Sequence, residues 1–114
     1  MTALSDTELA YLQGGDAGLG RLATVGRDGM PHVTPVGWKV VPGVDAIEIR
    51  GRNFAATKKF RDVARTGRAA IVIDDVRPPW RPRGVEVRGR VEAIVEPPMI
   101  RIHAERIVSW GLDD

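Results

Sequence analysis

From Gly20 to Trp110 the chain is cut by turn signals at short, even intervals, and that cadence limits the fold more than any motif does. Asp28-Gly29 separates RLATV from HVTPVGWKVV. PGVDA leads into AIEIRG, and EPP separates VEVRGRVEAIV from IRIHAERIVSW. Each run between breaks is too short for a long helix and alternates apolar with polar residues as half-buried strands do. Asn/Asp-Gly between two such runs is the strongest local hairpin signal, because both central residues of the turn need positive φ. Short strands joined by tight turns pair antiparallel. A small barrel is their natural closure, since it removes exposed edges.

Two stretches break the strand pattern. LSDTELAYLQGG opens with a capping box, Ser5 followed by Glu8, and closes on Gly14-Gly15, which predicts a helix over 6–13. Residues 54–66 carry Phe60, Val63 and Ala64 at helical spacing and stop at Gly67, which predicts a second. The expected strands are Leu22–Val25, His32–Val41, AIEIRG, AAIVID, VEVRGRVEAIV and IRIHAERIVSW, with DVRPPWRPRG a Pro-rich loop. The reading is mainly β, about six antiparallel strands with two short helices, in one domain over 1–114. In the second strand, Pro35 cannot donate to a ladder and Gly37 has no side chain to pack. Either that strand bends at an edge, or its backbone faces something other than another strand.

Composition excludes several function classes. The chain has no cysteine, so it holds no disulfide, thiolate nucleophile or Cys-based zinc site, as a reducing cytoplasm would suit. No basic-then-apolar leader opens it and no apolar run is long enough to span a membrane, so the expectation is a cytoplasmic protein. Its two histidines, His32 and His103, fall in separate strands, no G-x-S-x-G occurs, and Asp74-Asp75 reads as a polar strand end. Side chains alone therefore offer little chemistry, and an enzyme built this way takes its chemistry from a cofactor.

Charge says what kind. Between Arg50 and Arg90 lie 12 of the 17 basic residues but only 4 of the 15 acidic ones. A field of that kind attracts an anion. At its centre, Asn53 or Thr57 caps a helix that begins with Lys58 and Lys59. Cations there oppose the helix dipole unless something negative binds. First-turn N–H groups, a threonine hydroxyl and two ammonium groups together make a phosphate site. Arg50 and Arg52 lie just upstream; Pro35, Gly37 and Trp38 offer exposed backbone for a planar ring; PPWRPRG adds Trp80, Arg81 and Arg83.

In order, RLATV, RDGMP, HVTPVGWKV, IEIRG and TKKFRDVARTGRAAIVID resemble the pyridoxamine 5′-phosphate oxidase-like family of flavin- and deazaflavin-binding split barrels. The basic PWRPRG segment and the ending VEVRGRVEAIV…IRIHAERIVSWGLDD resemble the actinobacterial branch that uses the deazaflavin coenzyme F-420. The resemblance implies an FMN-binding-like split β-barrel of six strands, a homodimer with cofactor clefts at the interface. It implies that Thr57, Lys58 and Lys59 hold the cofactor phosphate, that Pro35, Val36 and Trp38 line the ring, and that Arg50, Gly51 and Arg52 flank the phosphate. Trp80 and Arg81 would come from the partner subunit, and Trp110 would cover the cleft. The pyridoxal-phosphate-holding C-terminal region of the vitamin-oxidising members is absent, so that activity itself is not expected. The extent of basic sequence favours F-420, with its longer anionic tail, over FMN. The expected activity is hydride transfer from reduced F-420 to a small unsaturated or conjugated substrate. The alternatives are an FMN protein, a carrier or sensor of the same cofactor or of haem, and a barrel that stacks single-stranded nucleic acid on Trp38 and Trp80.

Overall fold

A computed structural model of the protein describes residues 4–15, 17–51 and 54–112. Helix α1 (Asp6–Gln13) precedes strands β1 (Gly20–Val25), β2 (Pro31–Val36), β3 (Lys39–Val41) and β4 (Ala46–Arg50). A 3-10 turn (Phe54–Ala56) leads into helix α2 (Lys58–Thr66), followed by β5 (Arg68–Arg77), β6 (Arg81–Ile94) and β7 (Met99–Trp110). All strand pairs are antiparallel and form one seven-stranded sheet in the order β2-β1-β5-β6-β7-β4-β3.

That order explains the split. Strands β2 and β3 hold opposite edges of the sheet, yet only Gly37 and Trp38 separate them in the chain. Three Cα steps of 3.80 Å span about 11 Å at most. The sheet therefore curls until its edges nearly meet, and it stays unpaired along that seam. The strand expected over His32–Val41 is thus two strands, which makes seven rather than six. The first reading of its Pro-Gly interruption holds: Pro35 sits on an edge strand, and residues 37–38 belong to no strand among the described residues.

Cross-strand register sorts the side chains. Leu22 faces Ile71, and Ile71 faces Val87, all fully buried, with Ile47, Ile49, Ile100, Ile102, Ile73 and Val85 extending the same inner layer. Helix α2 closes one end against β1 and β6, burying Phe60 and Val63 beside Phe54. The single helix expected over 54–66 divides at Thr57, whose extended backbone (φ −81°, ψ 155°) makes it the N-cap; its hydroxyl accepts the Phe60 N–H at 3.3 Å. Asn53, the other candidate cap, lies outside the described residues. Gly67 ends α2 at φ +69°, a left-handed conformation that costs a side-chain-bearing residue about 1–2 kcal/mol. At α1, Ser5 and Glu8 make both bonds of the capping box, 3.1 and 2.9 Å.

DVRPPWRPRG is mostly strand, not loop. Pairing runs out to Val76↔Pro82 and Arg77↔Arg81, leaving only residues 78–80 as the turn. Pro82 lies beyond the last β6–β7 pair, Gly84↔Trp110, so its missing N–H removes no bond on that side. The β5–β6 hairpin is an arm that extends past the barrel.

Candidate functional site

The lysine pair is divided by helix geometry. Adjacent helical residues point about 100° apart, so Lys58 and Lys59 leave α2 in different directions. Lys59 Nζ lies 5.5 Å from the Phe54 ring centroid, beside the end of β4. Lys58 Nζ turns back along the helix to 3.4 Å from Asp62 Oδ2. Only Lys59 therefore faces the strand end that carries Arg50 and Gly51, where a Cβ added at Gly51 would meet the Phe54 ring at 3.5 Å. The Thr57 hydroxyl is already used twice, accepting from the Phe60 N–H and donating to the Phe54 carbonyl at 2.7 Å. An anion at this end would meet the first-turn N–H groups other than that of Phe60, which Thr57 takes, and Lys59.

Trp38 is the hub of the rest. Its indole N–H donates to the Gly18 carbonyl at 2.8 Å, which fixes the ring over the seam between β2 and β3. Beside it is a cavity of about 160 Å³ lined by Gly37, Trp38, Lys39, Glu48 and Arg50. Sharing Gly37, Trp38 and Lys39 with it is a wider groove of about 850 Å³ that includes Leu12, Gln13, Gly18 and Pro42. The fold thus brings Trp38 and Arg50 together although 11 positions separate them. Beside them Val36 points into the core and Pro35 faces outward, so Val36 offers this region only backbone. Glu48 is buried and takes two bonds from Arg101, at 2.7 and 3.1 Å, with Arg50 at 3.7 Å. The Arg101 bonds hold the Glu48 carboxyl below its ordinary range despite its burial.

Trp80, Arg81 and Trp110 stand apart from this group. Trp80 is 74% exposed near the tip of the arm, and Arg81 is exposed beside it. Trp110 lies across Gly84, where any Cβ would come within 2.6 Å of its ring. None of the three lines the cavities around Trp38, and Trp38 and Trp80 share no described cavity, which separates the two proposed stacking platforms. Arg52 lies outside the described residues.

Two constellations were invisible to motif reading. Asp75 accepts from the Tyr11 hydroxyl at 2.7 Å and from Arg83 at 2.8 and 3.1 Å, tying α1 to the arm. The Arg83 bonds lower the Asp75 carboxyl, while burial and Asp75 push the Tyr11 phenol up. Lys58, Arg61, Asp62 and Arg65 form one stripe of α2 and, with Arg27, Asp28 and His32 of the β1–β2 turn, line a cavity of about 510 Å³. The stripe's i, i+3, i+4, i+7 spacing was legible; the turn that faces it was not. Among the described residues no group of three or more His, Cys, Asp or Glu side chains is placed to hold a metal.

An antiparallel split barrel with a Trp-lined seam and a basic helix start defines a class of cofactor-binding folds rather than a single activity. Residues 9–111 match the pyridoxamine 5′-phosphate oxidase family, and the chain belongs to that family. It is an oxidoreductase of that family, as its relatives indicate. One of them, a 5a,11a-dehydrotetracycline/5a,11a-dehydrooxytetracycline reductase of Streptomyces rimosus, is 41% identical over 93% of this chain and 82% of its own. A conserved hypothetical protein of Mycobacterium tuberculosis shares the fold with a TM-score of 0.77 at 24% identity, over 97% of this chain and 87% of that one. An F-420 reductase shares it with a TM-score of 0.66 at 20% identity, over 87% and 94%. Among the described residues no helix is long and apolar enough to cross a membrane.

Proposed function

We propose that the protein binds coenzyme F-420 and reduces a carbon–carbon double bond conjugated to a carbonyl in a small substrate. The observation that carries this reading is the juxtaposition at the seam. Trp38 lines both a small cavity that it shares with Arg50 and a wider, open groove. The 41% identity to a dehydrotetracycline reductase supports a conjugated, ring-containing substrate. The basic run from Arg50 to Arg90 supports the deazaflavin, with its longer anionic tail, over FMN.

The residues fit such a cofactor. Lys59 and the first-turn N–H groups of α2 would hold a phosphate, with Arg50 and Gly51 at the adjoining strand end. Backbone of Pro35, Val36 and Gly37, left unpaired on the outer side of an edge strand, would meet the ring edge, and Trp38 would pack beside it. When bound, the reduced deazaflavin supplies a hydride. Lys39 lines both cavities and would favour negative charge developing on a substrate oxygen, while the Arg50 charge is offset by the Glu48 carboxylate beside it. No histidine is among the described residues that line either cavity at Trp38, and the proton that completes reduction would come from solvent or from an arginine.

The same reading makes the protein a homodimer. The outer face of β2, β1, β5, β6 and β7 carries exposed Val25, Val33, Val76, Val108 and Trp110, a patch that a second copy would cover. Pairing there would bring a partner's Trp80, Arg81 and Trp110 to the cleft that one chain leaves open. The test is titration of the purified protein with F-420 and with FMN, followed by cofactor and tryptophan fluorescence, then turnover of an α,β-unsaturated ketone with reduced F-420. Tighter binding of F-420 and consumption of its reduced form are expected. Binding of neither cofactor would sink the reading, and binding without turnover would make the protein a carrier.

A further inference from the structure

We propose that the cavity between the β1–β2 turn and α2 is a second binding site, for a small acid that also carries an O–H or N–H donor. This inference stands apart from the cofactor reading, because the site lies on the Lys58 side of the helix and the phosphate cradle on the Lys59 side. Three observations build it. The first is charge: Arg27, Lys58, Arg61 and Arg65 face Asp28 and Asp62 around a cavity of about 510 Å³. The second is how that charge is already used. Lys58 and Arg65 pair with Asp62 at 3.4 and 3.7 Å, and Arg65 also donates to the Val25 carbonyl. The Asp28 carboxylate accepts the Met30 N–H at 3.0 Å within its own turn. Arg27 and Arg61 have no carboxylate partner among the described residues, so two guanidinium groups remain to clamp an anion.

The third observation sets the ligand class. Asp62 is 4% exposed, yet its Oδ2 accepts no hydrogen bond from the described residues; Lys58 is an ion-pair neighbour only. A buried carboxylate oxygen left without a donor costs free energy, and a ligand donor would remove that cost. A plain anion satisfies the arginines but is repelled by Asp62. A hydroxy- or amino-acid satisfies both, with its carboxylates on Arg27 and Arg61 and its O–H or N–H reaching the enclosed Asp62 Oδ2 as the exposed Lys58 side chain swings aside. Such a group belongs either to a free small acid or to an acidic extension of a molecule seated in the neighbouring cleft.

Malate and succinate separate these demands, since they differ by one hydroxyl. In titrations followed by NMR of the His32 ring and backbone amides, the protein should bind malate at least fivefold more tightly than succinate. Arg27→Ala/Arg61→Ala, both changes on exposed side chains, should weaken both acids at least tenfold. Asp62→Asn removes the charge-assisted acceptor and should bring the malate preference below twofold, while succinate binds no worse. Equal binding of the two acids by the unaltered protein overturns the donor assignment, and so does a malate preference that survives Asp62→Asn. Binding that ignores the double arginine variant overturns the site. None of these readouts needs a cofactor, so they stand or fall separately from F-420 binding. Repeating the malate titration with F-420 or FMN present distinguishes the sources: competition assigns the site to the cofactor's own acidic extension, independent binding to a separate acid.

Discussion

At the residue scale the two lysines that open α2 are not equivalent. Lys59 faces the strand end through Phe54, and Lys58 is turned to Asp62. A charged hydrogen bond contributes about 1.5–3 kcal/mol. Lys59→Ala is therefore expected to weaken F-420 binding by roughly 10- to 150-fold, at about 1.4 kcal/mol per factor of ten. Lys58→Ala should change it less than about fivefold. Fluorescence titration of the two variants checks this, and equal losses would show that the lysines act as a pair. Carboxylates give a second expectation. The Arg101 bonds depress Glu48 and the Arg83 bonds depress Asp75. A depressed carboxyl stabilises the fold fully above its unfolded pKa, about 4, and that contribution is lost as pH falls through the lower folded value. Thermal stability should thus fall from about pH 4 downward, and Glu48→Gln should flatten part of that slope.

At the element scale, Thr57 matters as a cap. Its hydroxyl is spent on the Phe60 N–H and the Phe54 carbonyl, so it holds the 3-10 turn to α2. Thr57→Ala should cost about 1 kcal/mol of stability and lower Tm by several degrees, with F-420 affinity nearly unchanged. Calorimetry and titration on one preparation decide it; a large affinity loss without a stability loss would return the hydroxyl to the binding site. The helix itself was legible because Phe60, Val63 and Gly67 obey helical spacing and stop chemistry. The break at Thr57 was not, because local propensity runs smoothly across 54–66. Likewise the proline-rich segment argued for a loop. Only pairing of Val76 with Pro82, settled by the partner strand, makes it an arm.

For the whole molecule, the exposed valines of the outer sheet face carry the assembly prediction. Register places Val33 beside Ala23 and Ala70 in one row, and Val72 beside Glu86 and Val108 in the next. A buried carboxylate without a partner costs several kcal/mol, so Val33→Glu/Val108→Glu should give a monomer. Because the cleft draws on the partner's arm in this reading, the same variant should lose cofactor affinity while keeping its far-UV circular dichroism. Sedimentation velocity reads the first outcome, and an unaltered dimer would place the interface elsewhere.

The sequence by itself determined the antiparallel β class, the α1 cap, the glycine stop of α2 and the basic field. Those are properties of neighbours along the chain: alternation, turn chemistry, capping and charge density. The tertiary structure decided where the sheet opens, because two residues must cross from one edge to the other. It also decided that Trp38 meets Arg50, that Lys58 and Lys59 part company, and that Arg27 and Arg61 line one cavity with Asp62. Contacts of that kind depend on register and curl, which no stretch of a dozen residues encodes alone.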